Sequence, residues 1–115
     1  VIDLEFLGNC KERTRITNVQ SEIQIFLDKI DSHYEKKTIL YLTEEFINTY
    51  LQNNLFNHPI WIRSIYMHPD YFFQKDWLIW QYNSRGKIPG ISGPVDLNVL
   101  NGKLEYLSNP NRRIK

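Results

Sequence analysis

Residues 80–98 read Trp80-Gln81-Tyr82-Asn83-Ser84-Arg85-Gly86-Lys87-Ile88-Pro89-Gly90-Ile91-Ser92-Gly93-Pro94-Val95-Asp96-Leu97-Asn98. An aromatic, strand-forming run enters a Gly/Pro-rich turn and leaves it as a second strand that carries a carboxylate. No helical period is visible between Trp77–Tyr82, read as one strand, and Val95–Leu100, read as the next. This end of the chain therefore departs from plain strand–helix alternation.

Upstream, the alternation is clear. Val1-Ile2-Asp3-Leu4-Glu5-Phe6 reads as a strand, closed by Gly8-Asn9 and a polar loop with Lys11, Glu12, Arg13 and Arg15. Thr17 with Gln20 fits a capping box, and Val19, Ile23, Phe26, Leu27, Ile30 and Tyr34 follow at helical spacing as one apolar stripe. Lys36-Lys37 suits the negative end of that helix. Residues 38–42 read as a second strand. Thr43 is placed to cap a second helix, with Glu44-Glu45 in its first turn, Phe46, Ile47, Tyr50 and Leu51 on its apolar face, and Asn53-Asn54 at its end. Residues 60–66 read as a third strand and His68-Pro69-Asp70 as a turn. The expected fold is α/β: about five strands and two main helices, the C-terminal portion of an incomplete TIM-like (β/α) barrel whose last segments lack helices.

With 115 residues the chain suffices for one small domain, and residues 1–115 are read as a single unit. A net charge of +1 gives no field to gather nucleic acid, and no apolar run reaches membrane-spanning length, so neither nucleic-acid binding nor membrane insertion is expected. The local basic cluster Arg112-Arg113 with Lys115 reads as a solvated tail. The single cysteine, Cys10, excludes an intrachain disulfide and has no base near it in sequence for nucleophilic work. His33, His58 and His68 lack ligand spacing, and neither a metal nor a cofactor is expected.

The chemistry-bearing residues are acids and aromatics. Asp3 and Glu5 share one strand face, roughly 6.6 Å apart along the chain. Such a pair is unfavourable inside an apolar strand unless water or a ligand meets it. At a barrel mouth it would meet substrate, and neighbouring carboxylates push one pKa up, which keeps one of them a proton donor. The plain alternative is a solvated strand end. Asp96 likewise reads either as a site acid or as a turn aspartate accepting backbone N–H groups. Tyr41, Trp61, Tyr66, Trp80 and Tyr82 lie on expected strands, where they either stack on sugar rings or pack the core.

These residues resemble those of the family 25 glycoside hydrolases, the lysozyme-type muramidases of bacteria and their phages. Val1-Ile2-Asp3-Leu4-Glu5 is similar to the family's D-x-E strand, Ile39-Leu40-Tyr41 to the next strand, and Pro59-Ile60-Trp61-Ile62 to its Pro-Leu-Trp-Ile strand. Residues 80–98 resemble its C-terminal signature. The resemblance implies hydrolysis of the β-1,4 bond between N-acetylmuramic acid and N-acetylglucosamine of peptidoglycan, at the cell wall, by a secreted or periplasmic protein rather than a cytoplasmic one. It assigns Glu5 as general acid/base, Asp3 as support for the N-acetyl group or the developing positive charge, and Asp96 as a residue shaping and charging the site. Tyr41, Trp61 and Tyr82 become candidate sugar contacts. Arg63 departs from the small residue that many relatives carry there. It is read as narrowing the cleft or contacting an acidic substrate group, or else as a helix-side ion pair.

The same resemblance puts Val1 at the family's fourth strand. The expectation is then a partial catalytic domain without the N-terminal strands, with open sheet edges that call for a second copy or the missing half. The alternative functions are a catalytically inactive remnant that binds peptidoglycan or another glycan, and a related glycosidase such as a chitinase.

Overall fold

The computed structural model describes residues 1–6, 15–51 and 57–108. The readings made for Gly8-Asn9, Cys10, Lys11, Glu12, Arg13, Asn53-Asn54 and the basic cluster at Arg112, Arg113 and Lys115 lie outside these residues.

Five strands form one sheet in chain order: β1 (Ile2–Leu4), β2 (Leu40–Thr43), β3 (Ile60–Arg63), β4 (Ile79–Gly86) and β5 (Val95–Leu100). The first four are parallel, and β5 runs antiparallel to β4. This is the expected α/β arrangement. The parallel strands need crossovers long enough for a helix, whereas residues 87–94 make a short return that permits only an antiparallel partner. Gly90 takes φ +89 in that return, a conformation that disfavours a side chain.

Two crossovers are helical. Helix α1 (Ile16–Tyr34) links β1 to β2. A short helix α2 (Glu44–Phe46) continues into a π-helical run, Ile47–Leu51, before β3. Thr43 caps α2 as expected, its hydroxyl accepting from the Phe46 N–H at 3.3 Å. The capping box at Thr17 does not form. Helix α1 begins two residues earlier, with Arg15 rather than Thr17 at the N-cap position, and Gln20 donates its Nε2 to the Tyr50 carbonyl at 2.7 Å, tying α1 to the π-helical run. Strand ends also move. Thr38 leaves the ladder because both its N–H and its hydroxyl donate to Asp31 Oδ1. The third strand stops at Arg63, and Ser64 turns to donate to the Met67 carbonyl at 2.6 Å.

Strand alternation divides the sheet. Leu40 and Leu42, with Ile60 and Ile62, point to the helical side and are buried there with Leu4, Ile23, Leu27, Phe46, Leu51, Phe73 and Trp77. Full burial of one such side chain is worth about 1.5–3 kcal/mol, so this side holds the fold together. The stripe on α1 is wider than the surface that covers it: Ile23 and Leu27 are buried, but Phe26 and Tyr34 remain 47% and 64% exposed. The opposite sheet face carries Asp3, Tyr41, Thr43, Trp61, Arg63 and Gln81, and is free to build a site.

Candidate active site

The cleft lies on that second face. It encloses about 330 Å³ and is lined by Val1, Asp3, Glu5, Tyr41, Trp61, Gln81 and Asp96. Register explains the grouping. Asp3 pairs with Tyr41, and Tyr41 with Trp61, so three neighbouring strands present side chains at one level. One pleat further toward the strand C-termini lie Thr43, Arg63 and Gln81. Glu5 follows directly on the end of β1. Asp96 arrives from β5, where irregular pairing with β4 displaces the strand near Asn83. Residues far apart in sequence therefore meet at one opening, at the end of a parallel sheet where ligands ordinarily bind.

The walls are fixed by hydrogen bonds. Gln81 is buried, only 4% exposed, and its Oε1 accepts from the Tyr41 hydroxyl at 2.5 Å. The Trp61 indole N–H donates to Asn98 Oδ1 at 2.8 Å. The Tyr41 and Trp61 rings meet edge to face at 5.2 Å. These contacts hold two aromatic surfaces beside the acids.

The electrostatics separate Glu5 from its neighbours. Burial raises its pKa, and the negative charge and hydrogen bonding of Asp3 raise it further, while the Arg63 cation pulls in the other direction. Glu5 thus holds a proton to higher pH than an ordinary carboxylate. The Tyr41 hydroxyl is pushed up to about 12, first by burial and then by the Glu5 charge, so it remains a neutral donor. A carboxyl group that keeps its proton to higher pH than usual, beside further acids and aromatic walls, can deliver that proton to a bound ether or acetal oxygen.

The structure brings Asp3, Glu5, Asp96, Tyr41 and Trp61 together in this cleft. It does not bring Tyr82 there. Tyr82 packs with its ring tilted against Trp80 at 5.7 Å, and Trp80 pairs with Ile62, whose side chain belongs to the helical side. Gln81, between these two aromatics, is the β4 residue that enters the cleft. The sequence alone assigns no role to Gln81 or Asn98. The available signal for Gln81 was a polar residue within an otherwise aromatic strand. Among the described residues, no group of three His, Cys, Asp or Glu side chains is arranged to hold a metal ion, and no helix is long and apolar enough to cross a membrane.

A family model described as glycosyl hydrolases family 25 matches residues 1–91. Among solved structures, the chain is similar to a family 25 glycosyl hydrolase from Bacillus anthracis, with 35% identity and a TM-score of 0.80 over 93% of this chain and 51% of that one. It also shares the fold of a bacterial lysozyme from Streptomyces coelicolor, with 24% identity and a TM-score of 0.66 over 92% of this chain and 51% of that one. An uncharacterized protein of Escherichia coli strain K12, YegX, is 30% identical over 107 residues, which are 93% of this chain and 38% of that protein. The chain thus spans about half the length of these solved relatives and less of the E. coli protein. The match over residues 1–91 extends from the acid pair through all four parallel strands to the return before β5, and the chain belongs to glycosyl hydrolase family 25.

Proposed function

We propose that this chain carries the acid side of a peptidoglycan-degrading lysozyme, which hydrolyses the β-1,4 bond between N-acetylmuramic acid and N-acetylglucosamine at a bacterial cell wall. The observation that supports this reading is the shared cleft of Glu5, Asp3 and Asp96, with the Glu5 pKa raised by burial and by Asp3, and with Tyr41 and Trp61 forming aromatic walls.

In the proposed reaction, Glu5 gives its proton to the glycosidic oxygen as the C–O bond breaks. The acetamido oxygen of the substrate attacks the anomeric carbon and forms a cyclic intermediate, the substrate-assisted route that some glycosidases use. Asp3 accepts from the acetamido N–H and offsets the positive charge on that ring. Glu5, now a carboxylate, takes a proton from water, whose oxygen opens the ring and restores the acetamido group. Asp96 shapes the opposite wall and adds negative charge where the oxocarbenium-like centre develops. Tyr41 and Trp61 offer apolar ring surface to the C–H faces of the sugars.

Among the described residues, β1 and β5 each have one unpaired edge. We therefore assign the complete cleft to an assembly with additional strands, from a second copy or from more of the polypeptide.

The test is clearance of purified cell walls with analysis of the new reducing ends. The reading requires N-acetylmuramic acid at those ends and a loss of about 100- to 10,000-fold in rate in Glu5→Gln. Clearance that survives the substitution removes Glu5 from the acid role. Products ending in N-acetylglucosamine redirect the reading to a different glycosidase.

A further inference from the structure

Glu5 also borders a second groove of about 380 Å³, whose lining includes the acids Glu5, Glu44 and Glu45 together with Thr43, Arg63 and Tyr66. Arg63 is its notable member. It ends β3, and alternation sets its side chain on the same sheet face as Trp61, toward the cleft and away from the helices. It is half-buried. The ion pairs among the described residues are His58–Asp31 and His68–Asp70, so Arg63 belongs to neither. The nearby Thr43 hydroxyl is engaged in capping α2.

The position of Arg63 matters for chemistry. Its charge is felt by both Glu5 and Tyr41, which places it beside the reacting groups. Its effect on Glu5 opposes that residue's role as a proton donor, and it is the weakest of the influences there. Tuning the acid is therefore a poor account of this cation. Among the described residues no carboxylate lies within ion-pair distance of Arg63, so its half-buried guanidinium keeps its fork open to an incoming carboxylate, whose planar geometry it matches, although Glu5, Glu44 and Glu45 line the same groove.

The rim supplies a second, independent feature. Tyr66 is 98% exposed on the loop that follows β3. That loop is anchored, since the Ser64 N–H donates to the Gln81 carbonyl at 3.1 Å and the Ser64 hydroxyl to the Met67 carbonyl at 2.6 Å. An aromatic ring is thereby presented at the edge of the groove with no packing role of its own.

We infer that the groove beyond Glu5 is a binding subsite for a carboxylate-bearing substituent of the glycan, with Arg63 forking onto the carboxylate and Tyr66 covering the adjoining acyl or sugar surface. The inference rests on the reading of the protein as a peptidoglycan hydrolase. On that substrate the carboxylate belongs either to the lactyl group of muramic acid or to the peptide attached to it.

The test is a titration of the intact protein in its Glu5→Gln form, which prevents turnover. The probes are N-acetylglucosaminyl-muramic acid disaccharide, the same disaccharide with its lactyl carboxyl amidated, a peptide-bearing disaccharide, and neutral chitobiose. The free acid, or else the peptide-bearing form, should bind about tenfold more tightly than the amide, as a charge-assisted pair warrants. Whichever probe shows the preference identifies the source of the carboxylate. Adding Arg63→Gln should erase the preference and leave amide and chitobiose affinities in place, and Arg63→Lys should restore part of it. Equal binding of acid, peptide and amide forms overturns the subsite while leaving the hydrolase reading intact. An Arg63→Gln loss that extends equally to chitobiose also overturns it, since the residue then acts structurally. Failure of every probe to bind overturns both readings together.

Discussion

The Tyr41 hydroxyl donates to Gln81 Oε1 at 2.5 Å, bridging β2 and β4 across the strand that carries Trp61. This bond spans 40 residues of sequence and fixes the floor of the cleft. Tyr41→Phe removes the donor and leaves a buried amide oxygen without its partner. Such a loss costs about 1–3 kcal/mol, and denaturant unfolding should show a lower midpoint with an unchanged slope. Replacing Gln81 by Leu in the same protein should recover much of that loss. A double variant no more stable than Tyr41→Phe would mean that the bond contributes little.

The raised pKa of Glu5 sets the pH profile of the proposed reaction. The acid step needs the proton, so activity persists below that pKa and falls as pH rises through it. The alkaline limb of kcat/KM should therefore lie above the usual carboxylate range. Asp3→Asn removes a negative neighbour and should move the limb to lower pH. Arg63→Gln removes a cation that favours ionised Glu5 and should move it slightly higher. Tyr41 and Asp96 also face this site, but neither is altered in the two variants. A limb that stays fixed in both would assign the titration to another group.

The acid pair was legible in the sequence because alternation within one strand needs no knowledge of its neighbours. In the structure Asp3 lies on β1 and Glu5 directly after it, and both line the cleft. The short return between Trp80 and Asp96 was equally legible, since too few residues separate the strands for a helical crossover. Register between strands was not. Trp61 reaches the cleft and Tyr82 does not because Ile62 pairs with Trp80, and no residue type announces that pairing. The same gap hid the contacts that Gln81 makes with Tyr41 and Asn98 with Trp61. The π-helical run after α2 was also hidden, because its apolar positions read as an ordinary helical face.

Asp31 ties the end of α1 to the two strands it precedes. Its Oδ1 accepts from the Thr38 N–H and hydroxyl at 2.8 and 2.6 Å, and its Oδ2 meets His58 Nε2 at 2.6 Å. Burial pushes the Asp31 pKa up, but the bonds from Thr38 and His58 outweigh it and hold the carboxyl below its usual range. The folded state thus favours the ionised form. Its stabilising effect is present above the ordinary carboxylate pKa and is lost as pH falls through the depressed one. Asp31→Ala strips three contacts and leaves the buried His58 ring without its partner, so a loss of about 2–4 kcal/mol is expected at neutral pH. The gap to the native protein should narrow in acid. A pH-independent gap would assign the loss to packing alone.

Gly86 ends β4 opposite Val95, where the ladder is already irregular. A Cβ built there would lie 2.5 Å from Leu97 Cγ and 2.6 Å from Cδ1, too close for any real contact. The obstacle includes the branching carbon of Leu97 as well as its tips, so a rotamer change relieves it only in part. Gly86→Ala should therefore push β5 away from β4 and cost about 1–3 kcal/mol, as overpacking does. Because β5 carries Asp96, the same shift should also move that carboxylate relative to Glu5. Cutting Leu97 back to Ala opens the space that the new methyl needs. The Gly86→Ala/Leu97→Ala double variant should accordingly be more stable than the sum of the two single losses predicts. Strict additivity in thermal unfolding would show that the close approach of these two residues does not constrain β5.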